Sequence, residues 1–167
     1  VNARPEPIPF FAEMGSVNPL FVLPEALAHR HDAIAEGLAQ SVNMGVGQFC
    51  TCPGLAIGID SADFERFATE LRSRFAKTTT GRMLTSGITA GYCDAVAKIG
   101  TIAGLRVTRG EGDKPVPTLF ETSARTFLAT PELHHEVFGP STILIRCDSQ
   151  AELEQVARSL EGSLTAT

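Results

Sequence analysis

Short apolar runs alternate along the chain with longer stretches in which apolar residues recur every three or four positions. Pro19-Leu20-Phe21-Val22-Leu23, closed by Pro24, is a compact apolar run that predicts a buried strand. Leu27, Ile34, Leu38 and Val42 then repeat at helical spacing, which predicts an amphipathic helix over 25–42. The periodicity breaks at 43–54, where Gly45, Gly47, Pro53 and Gly54 demand a loop or tight turn. Leu55–Ile59 reads as the next strand, and Asp60-Ser61 as a helix start ahead of Phe64, Phe67, Leu71 and Phe75. Tyr92, Val96, Ile99 and Ala103 place a further helix over about 88–103, leading through Gly104 into a strand at 105–108. Residues 110–130 read as loop and strand, and Thr130-Pro131 as the start of a short helix, because proline is tolerated at the first helical position. Thr142–Ile145 is strand-like, and Ser149 with Glu152 forms a capping box ahead of Leu153, Val156 and Leu160. The closing residues 164–167 are strand-like again, and Arg4–Pro9 is an extended, proline-spaced lead-in.

Strands alternating with helices predict the α/β class: an open, largely parallel twisted sheet with helices on both faces. In such sheets sites gather where strands end and helices begin. The glycine-rich turn at 43–54 is the segment in which chemistry is expected.

Composition narrows the function classes. A chain of 167 residues that is 43% hydrophobic and 20% charged can bury one sizeable core, which argues against disorder. Its net charge of −5 is spread over both signs with no run of Lys or Arg, so neither nucleic acid nor an anionic membrane is expected as a partner. No apolar stretch approaches the roughly 18–20 residues of a membrane span, and the start lacks a secretory layout, so a cytoplasmic protein is expected. The four cysteines, Cys50, Cys52, Cys93 and Cys147, are scattered and are expected as reduced thiols.

Two residues stand out as candidates for chemistry. Cys50, in Gly45-Val46-Gly47-Gln48-Phe49-Cys50-Thr51, follows glycines that permit positive φ and can be partly exposed, as a nucleophilic thiol needs. The other reading, a small buried apolar side chain in a turn, is the commoner one for a cysteine, and local composition does not decide between them. Glu13 lies between apolar neighbours and a Gly-Ser turn, where burial would raise its pKa toward that of a general base; the alternative is a carboxylate reaching solvent at a loop edge. No metal site is expected. Cys50 and Cys52 lack a second pair at zinc-ligand spacing, and His29, His31, His134 and His135 read as surface residues. The glycines at 100, 104, 110 and 112 follow a helix instead of opening one, so they are turns and not a dinucleotide fingerprint.

Three segments carry a resemblance. Glu13-Met14-Gly15-Ser16-Val17-Asn18-Pro19 resembles the glutamate motif of the aldehyde dehydrogenase superfamily, with Ser16-Val17 in place of its usual Gly-Lys. Gly47-Gln48-Phe49-Cys50-Thr51 resembles its cysteine motif, and Glu136-Val137-Phe138-Gly139-Pro140 its Glu-x-Phe-Gly-Pro segment, in the family's order. The resemblance covers essentially the whole chain. Arg4–Pro9, Ser16–Pro19 and Gln48–Gly54 are most similar to the branch that oxidises 2-oxoglutarate semialdehyde (2,5-dioxopentanoate).

The resemblance implies oxidation of an aldehyde to its acid with NAD or NADP, with Cys50 as nucleophile and Glu13 as base. Glu136, Phe138 and Gly15 are implied on the cofactor side. It also implies that residues 1–167 are one catalytic domain, with the nucleotide-binding and oligomerisation parts outside it. The cofactor would then be held mainly by the absent part, the full-length protein would be a homo-oligomer, and this chain alone would be weakly active or inactive. Two alternatives stand beside it: a cofactor-independent cysteine acyl-transfer or esterase domain, and a non-enzymatic member kept for assembly.

Overall fold

The structure, a computed structural model, describes residues 5, 6, 8, 9 and 15–167. Five strands, β1 (Pro19–Val22), β2 (Leu55–Ile59), β3 (Arg106–Arg109), β4 (Thr118–Ser123) and β5 (Ser141–Cys147), form one sheet in the order β1-β2-β5-β4-β3. The first four positions in that order pair in parallel, and β3 closes the far edge antiparallel to β4. The helices are α1 (Pro24–Asn43), α2 (Ala62–Lys77), α3 (Ser86–Ile99), α4 (Ala124–Ala129) and α5 (Gln150–Ser159).

The central strands read as near-continuous apolar runs because both faces are covered. Side chains alternate between faces along each strand. Ala56, Leu119 and Leu144 join a core with α1 and α2, built on Leu27, Leu38, Val42, Phe64, Phe67, Leu71 and Phe75. Leu55, Ile57, Phe120, Ile143 and Ile145 point to the other face, where α3, α4 and α5 contribute Tyr92, Val96, Phe127 and Val156. Phe64, Phe67, Phe75, Phe120 and Phe127 are fully buried, each worth about 1.5–3 kcal/mol of apolar transfer. The α/β class, the parallel sheet and the helices on both faces thus follow the sequence reading.

Element ends differ where polar contacts decide them. The helix expected over 88–103 runs from Ser86 to Ile99: the Thr85 hydroxyl caps it by accepting from the amide of Ile88, and the chain turns after Gly100. Within 110–130 the sequence reading lacks α4, whose six residues show only Ala124 and Phe127 as buried positions and whose start depends on the Ser123 cap. At α5 the Ser149 hydroxyl accepts from the amide of Glu152 as expected, but the Glu152 carboxylate reaches back to the amide of Asp148 instead of Ser149. The closing residues run beside the free edge of β1, where the Phe21 amide donates to the Thr167 carbonyl (2.7 Å) and the Thr167 amide to the Pro19 carbonyl (3.0 Å). No described helix is long and apolar enough to cross a membrane.

Candidate active site

After α1 the chain reverses through a single 3₁₀ turn, Met44–Gly47, in which Gly45, Val46 and Gly47 all have φ between 56° and 65°. That left-handed backbone suits glycine and strains the β-branched Val46. Cys50 emerges from the turn exposed to solvent. Cys52, two residues on, is buried with its sulfur 3.8 Å from the Val42 carbonyl oxygen. Burial, and then the charge of Glu136, push the Cys52 thiol up to about 11. Burial, and then Glu152 and Asp148, push Cys147 up to about 12. Thiolate chemistry near neutral pH is therefore closed to both. Cys93 is half-buried on α3, far along the chain from this turn.

The turn is joined to the two other segments by direct contacts. The buried Asn18 side-chain amide donates to the carbonyl oxygens of Cys50 (2.9 Å), Cys52 (3.0 Å) and Ser16 (3.2 Å). The Ser16 amide donates to Glu136 Oε2 (3.1 Å). A Cβ on Gly47 would lie 2.2–2.4 Å from the backbone of Gly139 and Pro140, so these two chains meet with no room for a side chain. The segments at 15–19, 45–54 and 136–140 thereby form one cluster.

Its place in the sheet corrects one expectation. Pro19, Leu55 and Ser141 are the first residues of β1, β2 and β5, so all three segments lie at the amino ends of neighbouring parallel strands. The carboxyl ends, favoured in open α/β sheets, do not hold the cluster. The reason is local: the 43–54 turn follows a helix and enters a strand, and in a parallel sheet every such turn falls on the amino-end side.

Of the residues singled out from sequence, Cys50, Gly15, Glu136 and Phe138 are brought to this side; Glu13 lies outside the described residues. Glu136 is half-buried, Phe138 is exposed, and Gly15 has its Cβ direction 3.7 Å from Glu136 Oε2. A cavity of about 200 Å³ opens here between Gly15–Val17, His134–Glu136 and Ser159–Gly162. His134 is half-buried and stacks on Phe127 with ring centroids 4.1 Å apart; His135 is exposed. Sequence reasoning gave Ser16 and Asn18 no role. The signal for Asn18 was an asparagine, the side chain most at ease with positive φ after glycine, placed directly before a strand; its φ is 45°. No group of three or more His, Cys, Asp or Glu suited to a metal occurs among the described residues.

The chain is 46% identical, over 99% of its length, to alpha-ketoglutaric semialdehyde dehydrogenase 2 of Azospirillum brasilense. It is 41% identical, over 98%, to alpha-ketoglutaric semialdehyde dehydrogenase of Acinetobacter baylyi. Both relatives are semialdehyde dehydrogenases by name, in line with the aldehyde dehydrogenase resemblance of the three segments. It spans about a third of the length of these relatives, 33% and 32%. No protein-family model matches the chain. Among solved structures, 1-pyrroline-5-carboxylate dehydrogenase from Thermus with bound NAD superposes on 92% of the chain with a TM-score of 0.74 at 21% identity, a likeness of fold. The branch implied by Ser16–Pro19 and Gln48–Gly54 is the one these relatives carry in their names.

Proposed function

We propose that the protein oxidises an aldehyde, of which 2-oxoglutarate semialdehyde is the favoured substrate, to the carboxylic acid, and that residues 1–167 are its catalytic domain. The observation that carries this reading is the meeting of the three segments at one side of the sheet with Cys50 as the exposed thiol among them. The names of the 46% and 41% identical relatives support the substrate class.

Cys50 acts as nucleophile. Its thiolate adds to the aldehyde carbon and gives a tetrahedral oxyanion on the former carbonyl oxygen, for which the backbone amide of Cys50 is the donor at hand. Loss of hydride from that carbon re-forms the carbonyl as a thioester of Cys50. Water then attacks the thioester, the acid departs, and the sulfur is released as thiolate. Glu13 takes the proton of that water, and of the thiol beforehand. A nicotinamide cofactor, NAD or NADP, supplies the hydride acceptor when bound. The chain's own residues suit such a group: the Glu136 carboxylate, held by the Ser16 amide, can accept from ribose hydroxyls, the exposed Phe138 two residues on offers an apolar face, and Gly15 sets no side chain against Glu136.

The test is aldehyde oxidation by the full-length protein and its Cys50→Ala and Glu13→Gln variants, followed by formation of the reduced cofactor. Cys50→Ala is expected to abolish turnover, and Glu13→Gln to slow thioester hydrolysis so that a burst of reduced cofactor precedes a slow steady rate. Full activity in Cys50→Ala would overturn the reading.

A further inference from the structure

We infer that Asn18 is a positioning residue for the Cys50 loop, coupling the backbone on both sides of the nucleophile to the closing segment of the chain at Leu164–Thr165. The inference rests on the reading of Cys50 as nucleophile and extends it to a residue that touches neither sulfur nor substrate.

Asn18 is 2% exposed, and both ends of its amide are engaged. Its nitrogen donates to the carbonyls of Cys50 and Cys52. Its oxygen accepts from the Ser16 hydroxyl (2.7 Å) and from the amide and hydroxyl of Thr165 (both 3.1 Å). Ser16 continues the link, since its hydroxyl accepts from the Leu164 amide (2.9 Å). The two carbonyls on the nitrogen side bracket Thr51, so one amide sets the peptide plane after Cys50 and the plane after Cys52. With both planes held, Cys50 stays exposed while Cys52 stays buried, although only one residue separates them. The Asn18 amide holds the Cys50 carbonyl from outside the loop, and the flanking turn is strained at Val46, where such a tether counts most. An amide suits this task because it supplies donors and acceptors without placing a charge beside the thiol.

Aspartate at this position keeps the acceptor side and turns the donor side into repulsion toward two carbonyls. Glycine removes all of the contacts and still accommodates φ of 45°. The experiment measures iodoacetamide alkylation of each cysteine as a function of pH, by peptide mass spectrometry, in the full-length protein and its Asn18→Asp, Asn18→Gly and Thr165→Val variants, with melting temperatures in parallel. Cys50 is expected to react about tenfold more slowly near neutral pH in Asn18→Asp, with a displaced pH profile, while Cys93 keeps its rate. Asn18→Gly shows the same direction and carries the test should the aspartate variant not fold. Thr165→Val, which removes one acceptor-side contact, stays within about twofold. A lower melting temperature with the Cys50 rate and pH profile unchanged in both Asn18 variants would make Asn18 merely structural and overturn the inference. Alkylation needs no turnover, so this result stands apart from the Cys50→Ala test of the nucleophile.

Discussion

The two ends of the parallel strands are built from different polar chemistry. At the amino ends the contacts are short, buried and mostly neutral: the Asn18 amide on backbone carbonyls, and Gly47 against Gly139 and Pro140. Toward the carboxyl ends lies a chain of charges. Arg146 pairs with Asp60 and with Glu65 (2.5 Å), Arg72 pairs with Glu65 (2.6 Å) and with Glu121 (2.8 Å), and the Arg146 guanidinium lies 4.8 Å from the centre of the Phe64 ring. Neutral bonds to buried carbonyls fix geometry and do not weaken in salt. The more exposed Arg146–Glu65 pair ties α2 to β5 with a strength that salt and pH both modulate, while the largely buried Arg72–Glu121 pair ties α2 to β4. Mostly neutral, buried hydrogen bonds suit the positioning proposed for the Cys50 loop, and the charged network serves stability at the far end.

The comparison breaks most severely at Gly47. Alanine there places a methyl within 2.4 Å of the Gly139-Pro140 backbone at φ of 65°. The expected result is a loss of at least about 3 kcal/mol in urea unfolding, and loss of fast Cys50 alkylation. Alkylation and stability both unchanged would show that the two segments do not abut. At the opposite end, Arg72→Met leaves Glu121, whose side chain is 11% exposed, without its partner. A loss of about 1–3 kcal/mol is expected, with Cys50 reactivity unchanged. A drop in Cys50 reactivity in this variant would mean that the two ends are coupled through the sheet. Gly37→Ala is the counterpart of Gly47→Ala: Gly37 is exposed within α1 with nothing within 4 Å of its Cβ direction, so the same chemical change should stabilise by about 0.5–1 kcal/mol.

These contrasts also show what the sequence could and could not reveal. Strands and helices with many buried apolar positions, such as β2, β5 and α2, were legible because burial on one or both faces writes a period into the chain. The six-residue α4 was not, since two buried positions are too few to mark a helix and its cap depends on the single hydroxyl of Ser123. Cys50 and Glu136 were singled out through the segments that contain them, which the structure brings together. Asn18 and Ser16 were not given roles, because their partners are carbonyls and amides up to 148 residues away, and a backbone group carries no mark of its partner in the sequence. The placement at the amino ends was missed for a related reason: strand order and direction depend on pairing, which local periodicity does not encode.

The smallest expected effect concerns the carboxyl-end network and its pH dependence. Glu65 is held at about 2 against an ordinary 4.5, first by its hydrogen bond to Arg72 and then, against a smaller opposing penalty from burial, by Arg146. A carboxylate depressed in the folded state contributes its stability fully above the unfolded value and loses it as pH falls through the folded one. The Glu65 side chain is 50% exposed, so solvent screening reduces the contribution to about 1 kcal/mol or less. The melting temperature of the parent protein should therefore exceed that of Glu65→Gln by a few degrees above pH 5, with the gap closing as pH falls toward 2 and narrowing in 1 M salt. A gap that persists at pH 2 would assign the effect of the variant to packing of the Glu65 stem and not to its charge, and the carboxyl end would then resemble the amino end more than the ion pairs suggest.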